Sequence, residues 1–391
     1  MRIQPNLHRQ TNSKQATEPP AALKSPDVFS SAETTAWQPI PRVAELLNSR
    51  PNTPRVERAT DSDALFNRRS GWAGADGAYS VPMPDGSTLW LFSDTFWGDV
   101  NDDGSRGDGT AFVNNTVGHQ DSTGNVRFYH GGGDGKPKSV LTPPDGKGWF
   151  WQHDAVVDAS GKISVLLGQF DRTPGGGALG FKAIGSWLAE MEMGQDGPEV
   201  SKYLKLPHFQ EATDGKPSIF FGSAVLKEES YQYVYGVADH AFTKDALLAR
   251  VKSDDLNQAE SWEFFDGEGW SSDFGDAKPV AKGVSVEHSV HRTANGEYAM
   301  VAQVDNKIQV RRAPSPEGPW SEPENVWTTP EQVDSDMTYN AKAHPELSDN
   351  RGLLISYNVN TMDWDRNLGV AEVYRPRFIR LSDPNLLPKA E

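Results

Sequence analysis

Cysteine is absent from the 391 residues, so disulfides, thiolate nucleophiles and cysteine-ligated zinc are excluded. Long apolar runs are missing too. No stretch approaches the roughly 18 residues a membrane-spanning helix requires, and the first residues lack the hydrophobic core of a cleavable export signal. Positive charge is in deficit: 38 Lys and Arg against 54 Asp and Glu give a net charge of −16, which repels phosphate backbones and anionic lipid surfaces. Nucleic acid and membrane are therefore not expected partners, whereas a neutral carbohydrate or a soluble protein is compatible. What the chain holds in quantity is turn formers, 36 Gly and 27 Pro, and large rings, 12 Trp, 17 Phe and 10 Tyr. That balance suits short strands joined by many turns, with large buried surfaces drawn from few residues.

Residues 1–55 form a polar, proline-punctuated segment containing Pro19, Pro20, Pro26, Pro39, Pro41, Pro51 and Pro54. Such a composition buries too little apolar surface to order itself, so a disordered leader is expected, with one short amphipathic patch at 43–47. No acidic residue precedes Glu18. In this the segment resembles the uncleaved export segments of bacterial type III secretion substrates, which implies a protein secreted without a cleaved signal.

From residue 56 to 391 a repeat emerges. Five units open with Asp76-Gly-Ala-Tyr, Gln152-His-Asp-Ala, Phe221-Gly-Ser-Ala, Val286-Glu-His-Ser and Tyr339-Asn-Ala-Lys. Each is followed by a second apolar strand: 89–92, 163–167, 233–237, 298–302 and 353–357. Turn residues such as Asp85-Gly86, Ser160-Gly161 and Asn295-Gly296 separate most of these pairs. Further strands are expected at 247–252, 307–312 and 368–374, short helices at 187–193 and 244–250, and residues 56–68 as the piece that completes the last unit. Five matching all-β units argue for radial repetition, hence an all-β, five-bladed β-propeller.

The first unit is the most informative. Apolar residues 78–81 and 89–92 flank Asp85-Gly86 and read as a hairpin, which brings Asp76 and Asp94 to the same end. Side chains opposite or diagonal across such a pair lie about 4.5–8 Å apart, in the range that glycosidases use for paired carboxylates. In a propeller the residues opening each unit converge on one axial pocket. The candidate catalytic acids are then Asp76, Asp94, Asp154 and Glu287, with Trp97, Asn115, Trp151, His153, Ser223, His288, Asn340 and His344 as candidate substrate-binding residues. Acids facing one another across a pocket raise at least one pKa. Asp99, Asn101 and Asp103, followed by Gly104, place oxygen ligands as in the first half of an EF-hand loop, so Ca2+ is a candidate ligand there; position 12, however, is Thr110 instead of Glu. No cofactor is otherwise required.

These motifs resemble the five-bladed propeller glycoside hydrolases, a group that includes arabinanases, arabinofuranosidases and fructan-processing enzymes. The likeness is nearest to bacterial uncharacterised or arabinan-degrading propellers. It rests on Asp76 to Tyr79 with Leu89 to Phe96, Phe112 to Thr116, Gly318 to Ser321, Tyr339 to Pro345 and Leu354 to Asn358. The resemblance implies hydrolysis of a furanose-containing glycan. It implies Asp76 as base or nucleophile, Glu287 as proton donor, and Asp94 or Asp154 as a tuning residue. The third unit departs from the pattern, opening on Phe221-Gly-Ser223 where relatives carry an acid. The alternative is a non-catalytic carbohydrate-binding or host-interaction propeller, delivered as a secreted effector and meeting a host protein.

Overall fold

Five antiparallel sheets arranged as blades, with a sixth, three-stranded sheet beside them, hold the strands of the described residues. The computed structural model describes residues 55–389 except 176, 178–179, 254 and 333–335; residues 1–54 of the expected disordered leader lie outside the described residues, and Arg55 already begins a strand. Blade 1 is Tyr79–Pro82, Thr88–Phe92, Thr116–Gln120 and Val126–Tyr129. Blade 2 is Trp149–Val157, Ile163–Arg172, Phe181–Gly194 and Gly197–Leu206. Blade 3 is Ser218–Lys227, Tyr231–Asp239, Lys244–Lys252 and Glu263–Phe265, extended by Trp270–Ser271. Blade 4 is Ser289–Arg292, Tyr298–Val304, Lys307–Ala313 and Glu324–Thr328. Blade 5 is Asp336–Ala343, Leu353–Thr361 and Pro376–Ser382, and its outer strand is Arg55–Arg58. The first described strand thus completes the last blade and closes the ring, with Val56 opposite Leu381.

The core explains why the second strands were legible in the sequence. They are packed on both faces, as in Leu89, Trp90, Leu91 and Phe92, all nearly inaccessible, and so carry apolar runs without alternation. Buried apolar side chains fall into interfaces between successive blades: blades 1 and 2 meet through Leu91, Phe150 and Val165, and blades 2 and 3 through Leu166, Phe221 and Val234. Blades 3 and 4 join at Tyr235, Val290 and Met300, blades 4 and 5 at Val301, Ala341 and Ile355, and blade 5 returns to blade 1 through Phe378, Phe66 and Trp90. Each such aliphatic or aromatic side chain contributes roughly 1.5–3 kcal/mol when fully buried.

Three expectations are corrected. Residues 187–193 and 244–250 are strand, lying within Phe181–Gly194 and Lys244–Lys252; each holds only a short buried apolar run, 187–189 and 246–249, which periodicity cannot tell from a helix segment. Residues 368–374 run through the end of the helix Trp364–Gly369 and a 3-10 turn, Ala371–Val373, and the blade strand begins later, at Pro376. Of residues 56–68, only the first three belong to the closing strand; Thr60–Leu65 is helical.

The repeated openings turn out to mark β-bulges more than strand starts. Gln152 and Ala155 pair with Leu167 and Val165, leaving His153 and Asp154 opposite one residue. Phe221 and Ala224 pair with consecutive residues of the next strand, leaving Gly222 and Ser223 out of register, whereas Tyr339 and Lys342 pair with Asn358 and Ser356 and leave Asn340 and Ala341 opposite one residue. Gly222 has φ +127°, and a Cβ there would lie 2.8 Å from Leu166 Cβ, so this bulge requires glycine. Bulges re-aim side chains, and here they decide which residues reach the axis.

Outside the blades, Trp72–Ala75, Thr95–Trp97 and Ala111–Val113 form a separate three-stranded sheet. It leads directly into blade 1.

Candidate active site

A cavity of about 1070 Å3 opens at the end of the axis where the inner strands begin, and Asp76, Asp94 and Glu287 all line it. The hairpin read from the sequence is present: Tyr79 faces Leu91 and Val81 faces Leu89, and Gly86 N–H closes the turn on the Met83 carbonyl. At its base the two acids are fastened backbone to backbone. Asp76 N–H donates to the Asp94 carbonyl at 3.1 Å, and Ser93 N–H donates to the Asp76 carbonyl at 3.0 Å.

Their side chains are held differently. Asp76 Oδ2 accepts from the Tyr339 hydroxyl at 2.8 Å and the Tyr374 hydroxyl at 2.9 Å. Its Oδ1 is buried and has no hydrogen-bond partner among the described residues. Burial first, then the charges of Asp94 and Glu287, push the Asp76 carboxyl up to about 8, against the downward pull of the two tyrosines. Asp94 Oδ1 accepts from Asn114 Nδ2 at 3.0 Å and Trp151 Nε1 at 2.9 Å. Burial raises Asp94 to about 6, with Trp151, Asn114 and the Arg172 charge holding it below its neighbour. Tyr374 is placed by a close approach: Gly74, with φ +137°, leaves room for the Tyr374 carbonyl, which a Cβ would meet at 2.0 Å.

Glu287 is the fixed member. Its Oε1 accepts from Asn340 Nδ2 at 2.9 Å and its Oε2 from Lys342 Nζ at 2.5 Å. Lys342, 1% exposed, also donates to the Asn340 carbonyl at 3.1 Å and sits 4.2 Å from the centre of the Tyr79 ring. Both carboxyl oxygens of Glu287 are thus used as acceptors, one from a cation, which is how a carboxylate is held and not how a proton donor is presented.

The sequence-predicted residues divide between this cavity and the rest of the axis. Trp151, His153 and Asn340 line the cavity with the three acids. His153 is lowered to about 3, by burial first and then by the Lys342 charge, so it is neutral. Asp154 and His344 instead line a second cavity of about 600 Å3, together with Ser80 and Glu346. There Asp154 accepts from the Val225 and Ala155 backbone N–H groups at 2.7 and 2.8 Å, while His344 bonds Ser80 Oγ at 2.5 Å and Ser356 Oγ at 2.7 Å. Ser223, His288 and Asn115 are fully buried. The Ser223 carbonyl accepts from Tyr79, His288 Nδ1 bonds the Ser285 carbonyl, and Asn115 Nδ2 donates to the Leu141 and Phe150 carbonyls. Trp97 packs edge-on against His130. Asp103 Oδ1 accepts from Ser105 N and Oγ at 3.0 and 2.6 Å, Asn101 Nδ2 donates to Ser105 Oγ, and the Asp99 carbonyl takes Gly107 N–H, so the proposed calcium ligands share a tight turn. Among the described residues no cluster of three or more His, Cys, Asp or Glu is placed to hold a metal.

Tyr339, Tyr374, Asn114, Arg172 and Lys342 escaped the sequence reading. Three of them stood inside or beside quoted motifs: Asn114 in Phe112-Val-Asn-Asn, and Tyr339 and Lys342 around the blade 5 bulge. The roles of Tyr339 and Lys342 depend on which way the bulge turns them, while Asn114 lies in the connection between Ala111–Val113 and Thr116–Gln120.

Residues 60–383 match the family described as "Domain of unknown function (DUF5005)". None of the curated proteins matches the sequence. Among solved structures, a Bacteroides ovatus protein described only provisionally as a hydrolase superposes with a TM-score of 0.70 at 21% identity, over 90% of this chain and 97% of that one. Glycoside hydrolases align more loosely. The GH43_1 enzyme of Xanthomonas citri complexed with xylose gives a TM-score of 0.43 at 15% identity, over 83% of this chain and 90% of that one. A family 117 glycoside hydrolase of Zobellia galactanivorans gives 0.44 at 10%, over 84% and 90%.

Proposed function

We propose that this chain, which belongs to the DUF5005 family, hydrolyses a glycosidic bond in the axial cavity. The observation that carries the reading is the Asp76–Asp94 pair, two neighbouring carboxyls in one cavity whose surroundings set them apart. Asp76 is raised to about 8 and Asp94 to about 6. Pairs of acids separated in this way divide acid and base roles at neutral pH.

Asp76, protonated, donates its proton to the leaving oxygen as the anomeric C–O bond breaks. Asp94, ionised, supplies the carboxylate that assists attack on the anomeric carbon. A water contributes the incoming oxygen and restores the proton, so the reaction adds one water across the bond. Glu287, fixed by Lys342 and Asn340, offers negative charge to the oxocarbenium-like transition state. These roles differ from those the sequence resemblance implied, where Asp76 was base or nucleophile and Glu287 the donor. Burial of Asp76 and the Lys342 ion pair on Glu287 are the reasons. A furanose-containing glycan such as arabinan remains the substrate proposed on the sequence motifs.

The test is reducing-sugar release from arabinan, arabinogalactan, fructan and xylan at neutral pH. Release from at least one is expected. Silence on the whole panel, alongside binding of one of its members, would replace the hydrolase with a glycan-binding propeller.

A further inference from the structure

Five large apolar side chains are left exposed among the described residues, and three of them, Phe112 (40%), Met362 (46%) and Trp364 (51%), line the acid-bearing cavity. A fourth, Phe242, follows Ala241, which lines it as well. Among the described residues, most of the large exposed apolar side chains are therefore gathered at one mouth, and such clustering marks a contact site.

The platform is built from parts that do not belong to the blades. Phe112 sits on the strand Ala111–Val113, opposite Phe96, and Trp364 begins the helix Trp364–Gly369. Their rings meet edge to face at 5.4 Å. Phe96 lies behind both, 4.7 Å from Phe112 and 5.4 Å from Trp364, and it touches Tyr374 at 5.2 Å. Tyr374 is the residue whose hydroxyl bonds Asp76, so one continuous aromatic layer runs from the reacting carboxyl to the rim. Buried Arg106 ties the two insertions together: it stacks 4.1 Å from the Phe96 centroid, donates to the Ala73 and Ala371 carbonyls at 3.2 and 3.1 Å, and donates to the Asn367 carbonyl. The bidentate contact of Arg366 with Asp336, at 2.7 and 2.6 Å, fastens the helix to the inner strand of blade 5.

We propose that Phe112 and Trp364 form a stacking subsite for a saccharide unit next to the bond being cleaved, so that the substrate is a glycan chain and not a small glycoside. This rests on the hydrolase reading above. Aromatic faces pair with the C–H faces of sugar rings while the sugar hydroxyls stay in water. The volume agrees, since about 1070 Å3 exceeds the roughly 300–1,000 Å3 that accommodates a drug-sized ligand and leaves room for more than one ring.

The experiment compares wild type, Phe112→Ala, Trp364→Ala and Trp364→Phe on a ladder of two- to five-unit arabino-, galacto- and xylo-oligosaccharides and on the matching glycosyl fluorides, whose leaving group is one atom. For the alanine variants KM on the oligosaccharides should rise about tenfold, the scale of one lost stacking contact. The loss on the fluorides, which leave this subsite empty, should be several-fold smaller, and Trp364→Phe should restore most of the loss on the oligosaccharides. Equal effects on both substrate types, or none on either, would overturn the subsite while leaving the hydrolase standing. If wild type cleaves nothing, the hydrolase reading fails and tryptophan fluorescence decides the subsite: ladder binding weakened about tenfold by Trp364→Ala keeps it, and absence of binding removes it.

Discussion

Replacing Asp76 by Asn is expected to lower kcat by about 10²–10⁴-fold, the usual contribution of a positioned proton donor, without unfolding the protein. The amide is neutral, as the carboxyl already is when protonated, and its oxygen can still accept from Tyr339 and Tyr374, which bond Asp76 Oδ2 at 2.8 and 2.9 Å. What it cannot do is give up a proton to the leaving oxygen. Thermal midpoints should therefore be equal to or above wild type, because a carboxyl raised from 3.8 to about 8 by burial and by two nearby acids costs the fold stability at every pH above about 4, where the unfolded chain would release that proton. A variant with full activity would remove Asp76 from the mechanism, and a variant that melts far lower would make it a structural acid.

The second large effect is on stability. Lys342→Met removes the Oε2 partner of Glu287 in a setting where the two side chains of the pair are only 2% and 10% exposed. Breaking a buried ion pair from one side costs about 3–5 kcal/mol, whereas removing both charges together is often close to neutral. Lys342→Met alone should thus lower the urea midpoint strongly, and adding Glu287→Gln should recover a large part. An unchanged midpoint in the single variant, or a double variant no better than it, would contradict the placement of this pair at the heart of the axis. Activity should fall in both, since the fixed carboxylate beside the acid pair is disturbed or lost.

How much of this was readable beforehand follows from what side-chain patterns encode. The blade count was legible because the second strands are buried on both faces and stand out as apolar runs. The Asp76–Asp94 pairing was legible because a hairpin with a marked turn fixes which ends meet. The assignment of residues to one mouth or the other was not. Asp154 and His344 open or close motifs that look equivalent to the others, yet both line the opposite cavity. The bulges insert residues into the inner strands, and a shift of one residue exchanges one strand face for the other. The histidines illustrate the same limit: His288 and His344 are fully buried and held down near 4 and 3 by burial, serving as neutral hydrogen-bonding core. The aromatic rim was hidden for a different reason. Trp364 and Phe112 sit on insertions that break the repeat, and no periodicity announces them.

The central claim is that Asp76 carries the proton and Asp94 the charge, and the most direct measurement is kcat/KM from pH 5 to 9 on the best-cleaved glycan. Asp94 must be ionised, so activity should fall as pH drops through about 6; Asp76 must be protonated, so activity should fall as pH rises through about 8. The account predicts a bell centred near 7 whose alkaline limb disappears in the residual activity of Asp76→Asn. A rate that stays flat to pH 9, or an alkaline limb that Asp76→Asn leaves in place, would contradict it.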